Sequence, residues 1–242
     1  MKWSEKDVFS RMTLKYFTSN EINTYWTCGT SGFTFTRSSS NEKDIFATSN
    51  TTSAGSYQVV EDGSPEKHYH RSVIIGNKKY KIYDQYSYKD ESEKLANGCC
   101  GAAAVATVLS AYNIEKTPKE LYDWYAPLLS ELSTKLTNNG ISNTHYYMGK
   151  SDSDIANMKA KIKANLQKGQ PVIVLVGWHN ESDTFYTYSG GHFITLVGIQ
   201  SDETVFVTDS VYGKFRTDAN LDKVMDYMDC INNDRGCVLI NE

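Results

Sequence analysis

Apolar residues recur along this chain in patterns that predict a small set of helices and strands. In residues 101–112, Val105, Val108, Leu109 and Tyr112 follow one another at spacings of three and four. That spacing predicts a helix with one buried stripe, and Ala102, Ala103, Ala104 and Ala106 favour helix and permit close packing. Ile155, Met158, Ile162 and Leu166 predict an amphipathic helix over 153–168, stopped by Gly169-Gln170-Pro171. A third helix starts at Thr117-Pro118, with Thr as cap and Pro at the first turn, and Leu121, Trp124 and Tyr125 as its apolar face. Residues 172–176 are continuously apolar, as in a strand buried on both faces. Strands are also expected at 72–75 and 80–83, parted by Gly76-Asn77, and at 237–240. Residues 190–199 and 204–209 read as a β-hairpin about a polar turn.

The N-terminal part reads differently. Residues 4–17 fit a short helix, and 18–63 are rich in Ser, Thr, Asn and Gly with interspersed aromatics. Within them Phe33-Thr34-Phe35-Thr36-Arg37 alternates as a half-buried strand does. The chain is accordingly divided into an N-terminal extension, 1–70, of β-rich character, and a main domain, 71–242.

Composition narrows the function classes. A net charge of -4 over 242 residues gives no basic footprint for nucleic acid. The longest apolar run, 171–178, is too short to span a bilayer. No apolar segment follows the first residues, so no signal peptide is read in this sequence. Five cysteines, at 28, 99, 100, 230 and 237, include no Cys-x-x-Cys pair, which argues against structural zinc. Cys230 and Cys237 flank a turn-rich segment, and either a disulfide or two free thiols fits there. His68 and His70 lie on one side of an extended segment without a third ligand, the mark of a surface rather than a metal site.

Two stretches carry candidate chemistry. Cys99 and Cys100 sit where a polar loop enters the apolar helix, at the positive end of its dipole, where a thiol pKa falls. His192 follows Gly190-Gly191 at the start of one hairpin strand, and Asp209 ends the other. A two- or four-residue turn centred between Ser201 and Asp202 places Asp209 opposite Ile194. His192 and Asp209 then become diagonal neighbours on one face, roughly 7–8 Å apart at the backbone. An odd turn or a bulge would reverse that parity. A cysteine nucleophile needs a base, and the base needs an orienting acceptor. The order Cys, His, Asp along the chain supplies all three.

The sequence Gly-Cys-Cys-Gly-Ala-Ala-Ala-Val-Ala-Thr-Val-Leu resembles the nucleophile motif of papain-like peptidases that process the double-glycine leaders of bacteriocins, and of their free-standing extracellular relatives. Gly-Gln-Pro-Val-Ile-Val-Leu-Val, Gly-Gly-His-Phe-Ile-Thr-Leu-Val-Gly-Ile and Val-Phe-Val-Thr-Asp are similar to the later blocks of that family, in the same order. The likeness spans about 80–240. Ala102 stands where the family usually has Pro, and Asp209-Ser210 replaces the common Asp-Pro. The family also uses an upstream Gln to hydrogen-bond the oxyanion. Gln85 is the candidate here, fifteen residues before Cys100, with an inserted loop at 86–98 to be assumed.

The resemblance implies an α+β, papain-like fold, with a helical lobe carrying the nucleophile against an antiparallel sheet. It implies a cysteine peptidase without metal or cofactor, in which Cys100 attacks, His192 is base and then acid, Asp209 orients it and Gln85 assists the oxyanion. Cys100 is preferred to Cys99 because only Cys100 is followed by Gly, which would let substrate approach the helix. A catalytically silent papain-like domain binding peptide or cell-wall ligands remains open, as does an acyltransferase using the same acyl-enzyme. The expected setting is a bacterial, secreted monomer acting on peptide or protein substrate, outside the cell or at its surface.

Overall fold

The computed structural model describes residues 27–28, 33–37, 46–50, 56–64, 68–123, 127–177, 190–231 and 235–241. The helix expected at 4–17 lies outside them. Two antiparallel six-stranded sheets organise the described residues. The first is a meander in chain order: β1 (Thr27–Cys28), β2 (Phe33–Arg37), β3 (Phe46–Asn50), β4 (Tyr57–Ser64), β5 (Tyr69–Ile75) and β6 (Lys78–Tyr83). The β5–β6 hairpin closes on Gly76-Asn77, with Ile75 opposite Lys78. Gly76 takes φ +60°, the positive value a tight two-residue turn demands. A boundary at residue 70 falls inside β5, which pairs with β4 on one side and β6 on the other.

The second sheet is built from β7 (Asn143–Tyr147), β8 (Val172–Val176), β9 (His192–Ile199), β10 (Thr204–Asp209), β11 (Lys214–Asn220) and β12 (Gly236–Ile240), in the order β11-β10-β9-β8-β12-β7. Among the described residues six α-helices accompany it: α1 (Glu93–Gly98), α2 (Cys100–Ser110), α3 (Pro118–Leu121), α4 (Leu129–Asn138), α5 (Asp152–Gln167) and α6 (Leu221–Asp229). Along β8, Ile173 and Leu175 join one core with α2 and α4. Val172, Val174 and Val176 join another with α5 and α6. A continuous apolar strand therefore serves two faces, as its sequence predicts. None of the described helices is long and apolar enough to cross a membrane.

Helix α2 departs from expectation in its burial. Instead of one buried stripe, every residue from Gly101 to Ser110 is buried. It packs against β6, β9, α3 and α4 together, so no side faces water. Its polar residues are spent on β6, an edge strand with unpaired backbone groups. Thr107 Oγ1 donates to the Lys81 carbonyl at 2.9 Å, and Ser110 Oγ accepts from the Lys81 amide at 2.9 Å. Those bonds satisfy the edge and lock the helix to the first sheet. α3 has the expected Thr117 cap and Pro118 but ends at Leu121; Trp124 and Tyr125 lie outside the described residues. The assumed loop 86–98 is in large part folded, as a 3₁₀ turn at Gln85–Tyr88 followed by α1.

The two sheets meet through Val73, Tyr80, Ile82, Val197 and Phe206. Gly198 makes this contact possible, because a Cβ there would lie 2.7 Å from Phe206 Cδ2.

Candidate active site

Helix α1 runs almost directly into α2, with Cys99 as the joint. Its amide donates to the Leu95 carbonyl at 3.0 Å, and its carbonyl accepts from Ala103 at 2.8 Å. That double role turns the Cys99 side chain inward, where it is fully buried. Burial first, and then the neighbouring Cys100, push the Cys99 thiol up to about 12. Cys100 opens α2 and stays partly exposed. Desolvation there also works against the thiolate, yet it is outweighed. His192 hydrogen-bonds and charge-stabilises the sulfur, and the Phe193 and Gly101 amides donate to it, so its pKa falls below the ordinary thiol range.

His192 begins β9, opposite Val176 of β8, and is buried. Its Nε2 lies 2.7 Å from Asp209 Oδ1. With Nε2 so engaged, Nδ1 is the ring nitrogen left for Cys100. Burial disfavours the imidazolium, but the Asp209 carboxylate and the Cys100 sulfur together raise the His192 pKa well above its usual value. Asp209 Oδ1 also accepts the Val211 amide at 2.8 Å, which fixes the carboxylate across its own turn. Its pKa is lowered against the cost of burial by His192 first, then by Val211 and Arg216.

The route by which Asp209 reaches His192 differs from the simple hairpin. Three residues, Ser201 to Glu203, make the turn, with Gln200 and Thr204 bonded across it. Glu203 takes φ +67°, as the last residue of such a three-residue loop does. This odd turn alone would put the two side chains on opposite faces. The register runs Val205↔Ile199 and Phe206↔Gly198, then shifts to Val207↔Leu196 and Thr208↔Thr195. Val197 is thus an extra residue, a β-bulge that restores the parity.

Gln85 is buried and starts the 3₁₀ turn after β6. Its Nε2 donates to the Ala96 carbonyl of α1 at 3.0 Å, and its Oε1 accepts from Ser210 Oγ at 2.7 Å. Cys100, His192 and Asp209 therefore form one connected line, with Gln85 tied to the helix before the cysteine and to the residue after the acid. Ser210 was not singled out by sequence reasoning as a site residue. The signal available was a hydroxyl at the place where the family usually carries proline.

A Cβ on Gly101 would meet Pro127 Cγ at 2.7 Å and Leu132 Cδ2 at 3.0 Å. This glycine serves close packing against α4, and does not clear a path for substrate. Cys230 and Cys237 are free thiols. Cys230 Sγ donates to the Asp226 carbonyl of α6, while Cys237 is buried in β12 beside Met158. His68 stacks on Tyr88, with Nδ1 near Ser87 Oγ and Nε2 paired to Glu91. Among the described residues no group of three or more His, Cys, Asp or Glu is placed to hold a metal ion.

A family model described as the Peptidase_C39 like family matches residues 77–227, more than half of the chain. The chain belongs to that family. The match supports a papain-like, C39-related domain, in keeping with the helices and antiparallel sheets described above. It begins at the β5–β6 turn and takes in Gln85, Cys100, His192 and Asp209. No curated protein matches the chain.

Proposed function

We propose that this chain is a cysteine peptidase working through an acyl-enzyme on Cys100. The observation that carries the reading is the buried His192 joined to Asp209 at 2.7 Å and hydrogen-bonded to a thiol of lowered pKa. The Cys100 thiolate attacks the carbonyl carbon of the scissile bond. The Cys100 backbone N–H, at the unpaired start of α2, and Gln85 Nε2 stabilise the developing oxyanion. His192 gives its proton to the leaving nitrogen as the C–N bond breaks and the thioester remains. It then takes a proton from water, which attacks the thioester and frees the acid and the thiol. Asp209 holds the ring in place and stabilises the imidazolium.

Within the family we place the chain near the enzymes that process double-glycine leaders, on the strength of the ordered sequence blocks. Work outside the cell or at its surface belongs to the same reading. It rests on that resemblance and on the Ser-, Thr- and Asn-rich N-terminal stretch, since the free thiols at Cys230 and Cys237 lend it nothing. Acylation by an activated ester tests the function. Cys100→Ala should abolish it, and His192→Ala should slow it by about 10²–10⁴-fold. Undiminished acylation in either variant would refute the proposal.

A further inference from the structure

We infer that Ser210 is a positioning residue that sets the orientation of the Gln85 amide for oxyanion stabilisation; this rests on the peptidase reading above. Three bonds tie Gln85 down. Its backbone N–H donates to the Ser210 carbonyl at 2.9 Å, its Nε2 donates to Ala96 O at 3.0 Å, and its Oε1 accepts from Ser210 Oγ at 2.7 Å.

The two ends of a carboxamide are nearly alike in shape, so the surrounding chemistry must choose between them. A carbonyl can only accept, so the atom facing Ala96 O is the nitrogen. The oxygen then faces Ser210, whose hydroxyl donates to it. An amide nitrogen has two hydrogens. One goes to Ala96, and the other has no partner among the described residues. Ala96 lies in α1, four residues before Cys100, so Gln85 Nε2 is anchored to the helix that leads into the nucleophile.

Without the Ser210 hydroxyl, Oε1 is buried with no donor among the described residues. The bond from Nε2 to Ala96 O is then the one side-chain bond left there to hold the amide, so its plane and its second N–H are less firmly set. The turn after β10 thereby serves both ends of the reaction. Asp209 orients the base, and Ser210, the next residue, orients the oxyanion donor. A proline at this place would have no hydroxyl to offer to Oε1.

Two probes separate this role from mere structure. Acylation by p-nitrophenyl acetate forms the S–C bond through an oxyanion before nitrophenolate leaves. Alkylation by iodoacetamide forms its S–C bond as iodide leaves, with no oxyanion. Adducts on Cys100 are counted by peptide mass. Ser210→Ala should slow acylation about tenfold, leave its pH profile in place and leave alkylation unchanged. Ser210→Thr should restore acylation, and Ser210→Ala should add no further loss to Gln85→Ala. Should Ser210→Ala fail to fold, Ser210→Cys, with only a weak donor, takes its place. Acylation equal to wild type, or acylation and alkylation slowed alike, would overturn the inference. A wild-type protein that is alkylated at Cys100 but never acylated would overturn the peptidase reading itself.

Discussion

Cys99 and Cys100 are neighbours with opposite chemistry, and the difference comes from where each backbone points its side chain. Cys99 bridges two helices and is fully buried, so its thiol rises to about 12. Cys100 meets His192 and two backbone amides, so its thiol falls. Cys99→Ala should therefore keep acylation within about threefold of wild type, at some cost in packing. The pH profile follows from the same pair. Acylation should rise as pH passes the lowered thiol pKa, hold a plateau, and fall as pH passes the raised His192 pKa. Asp209→Asn keeps an oxygen to orient the ring but removes the charge that raises His192. Its alkaline limb should then move to lower pH while a substantial part of the activity remains; an unmoved limb would count against the charge of Asp209 as the cause.

At the scale of elements, the helix α2 and the β9–β10 hairpin decide whether the site forms. Gly101 sits at the point where α2 presses on Pro127 and Leu132. Gly101→Ala should cost about 1–3 kcal/mol by overpacking, less about 1 kcal/mol of helix propensity gained. Urea denaturation should show the midpoint falling; an unchanged or higher midpoint would contradict the close packing. The hairpin shows how much was legible in the amino-acid order. Apolar runs placed β8 and the two strands themselves, because a buried strand leaves a clear pattern. The juxtaposition of His192 and Asp209 was reached from an even turn, whereas the fold uses an odd turn and a bulge at Val197 that offset each other. A bulge has no sequence signature short of its neighbours: Val197 looks like any strand valine, and only Gly198 beneath Phe206 hints at it. Helices α1, α4 and α6 were not singled out. Only α1 lacks a pattern, with Leu95 and Ala96 as its buried apolar side chains. Leu129, Leu132 and Leu136 of α4, and Leu221, Val224, Met225 and Met228 of α6, recur at helical spacing, so both helices were legible in the amino-acid order.

For the whole molecule, the joint between the sheets matters most. Tyr57 of β4 lies before the part matched by the family, yet its ring is 5.0 Å from those of both Phe206 and Phe215. Tyr57→Ala should lower stability by about 1–2 kcal/mol through lost aromatic contact and apolar area, with acylation unchanged. An equal stability in thermal unfolding would mean that the first sheet adds nothing to the second. Gln85 belongs to this scale too: it follows the last strand of the first sheet and meets Ser210 at the end of β10. Its distance from Cys100 in sequence is spanned by a folded turn and a helix, which no spacing rule reveals. The central claim is that Cys100 is the nucleophile of a working dyad. It is tested most directly by reacting the reduced, folded protein with a papain-type epoxide inhibitor and mapping the adduct by mass. One adduct on Cys100, kept in Cys99→Ala and lost in Cys100→Ala, is the predicted result; an adduct on Cys99, or none on the folded protein, would contradict it.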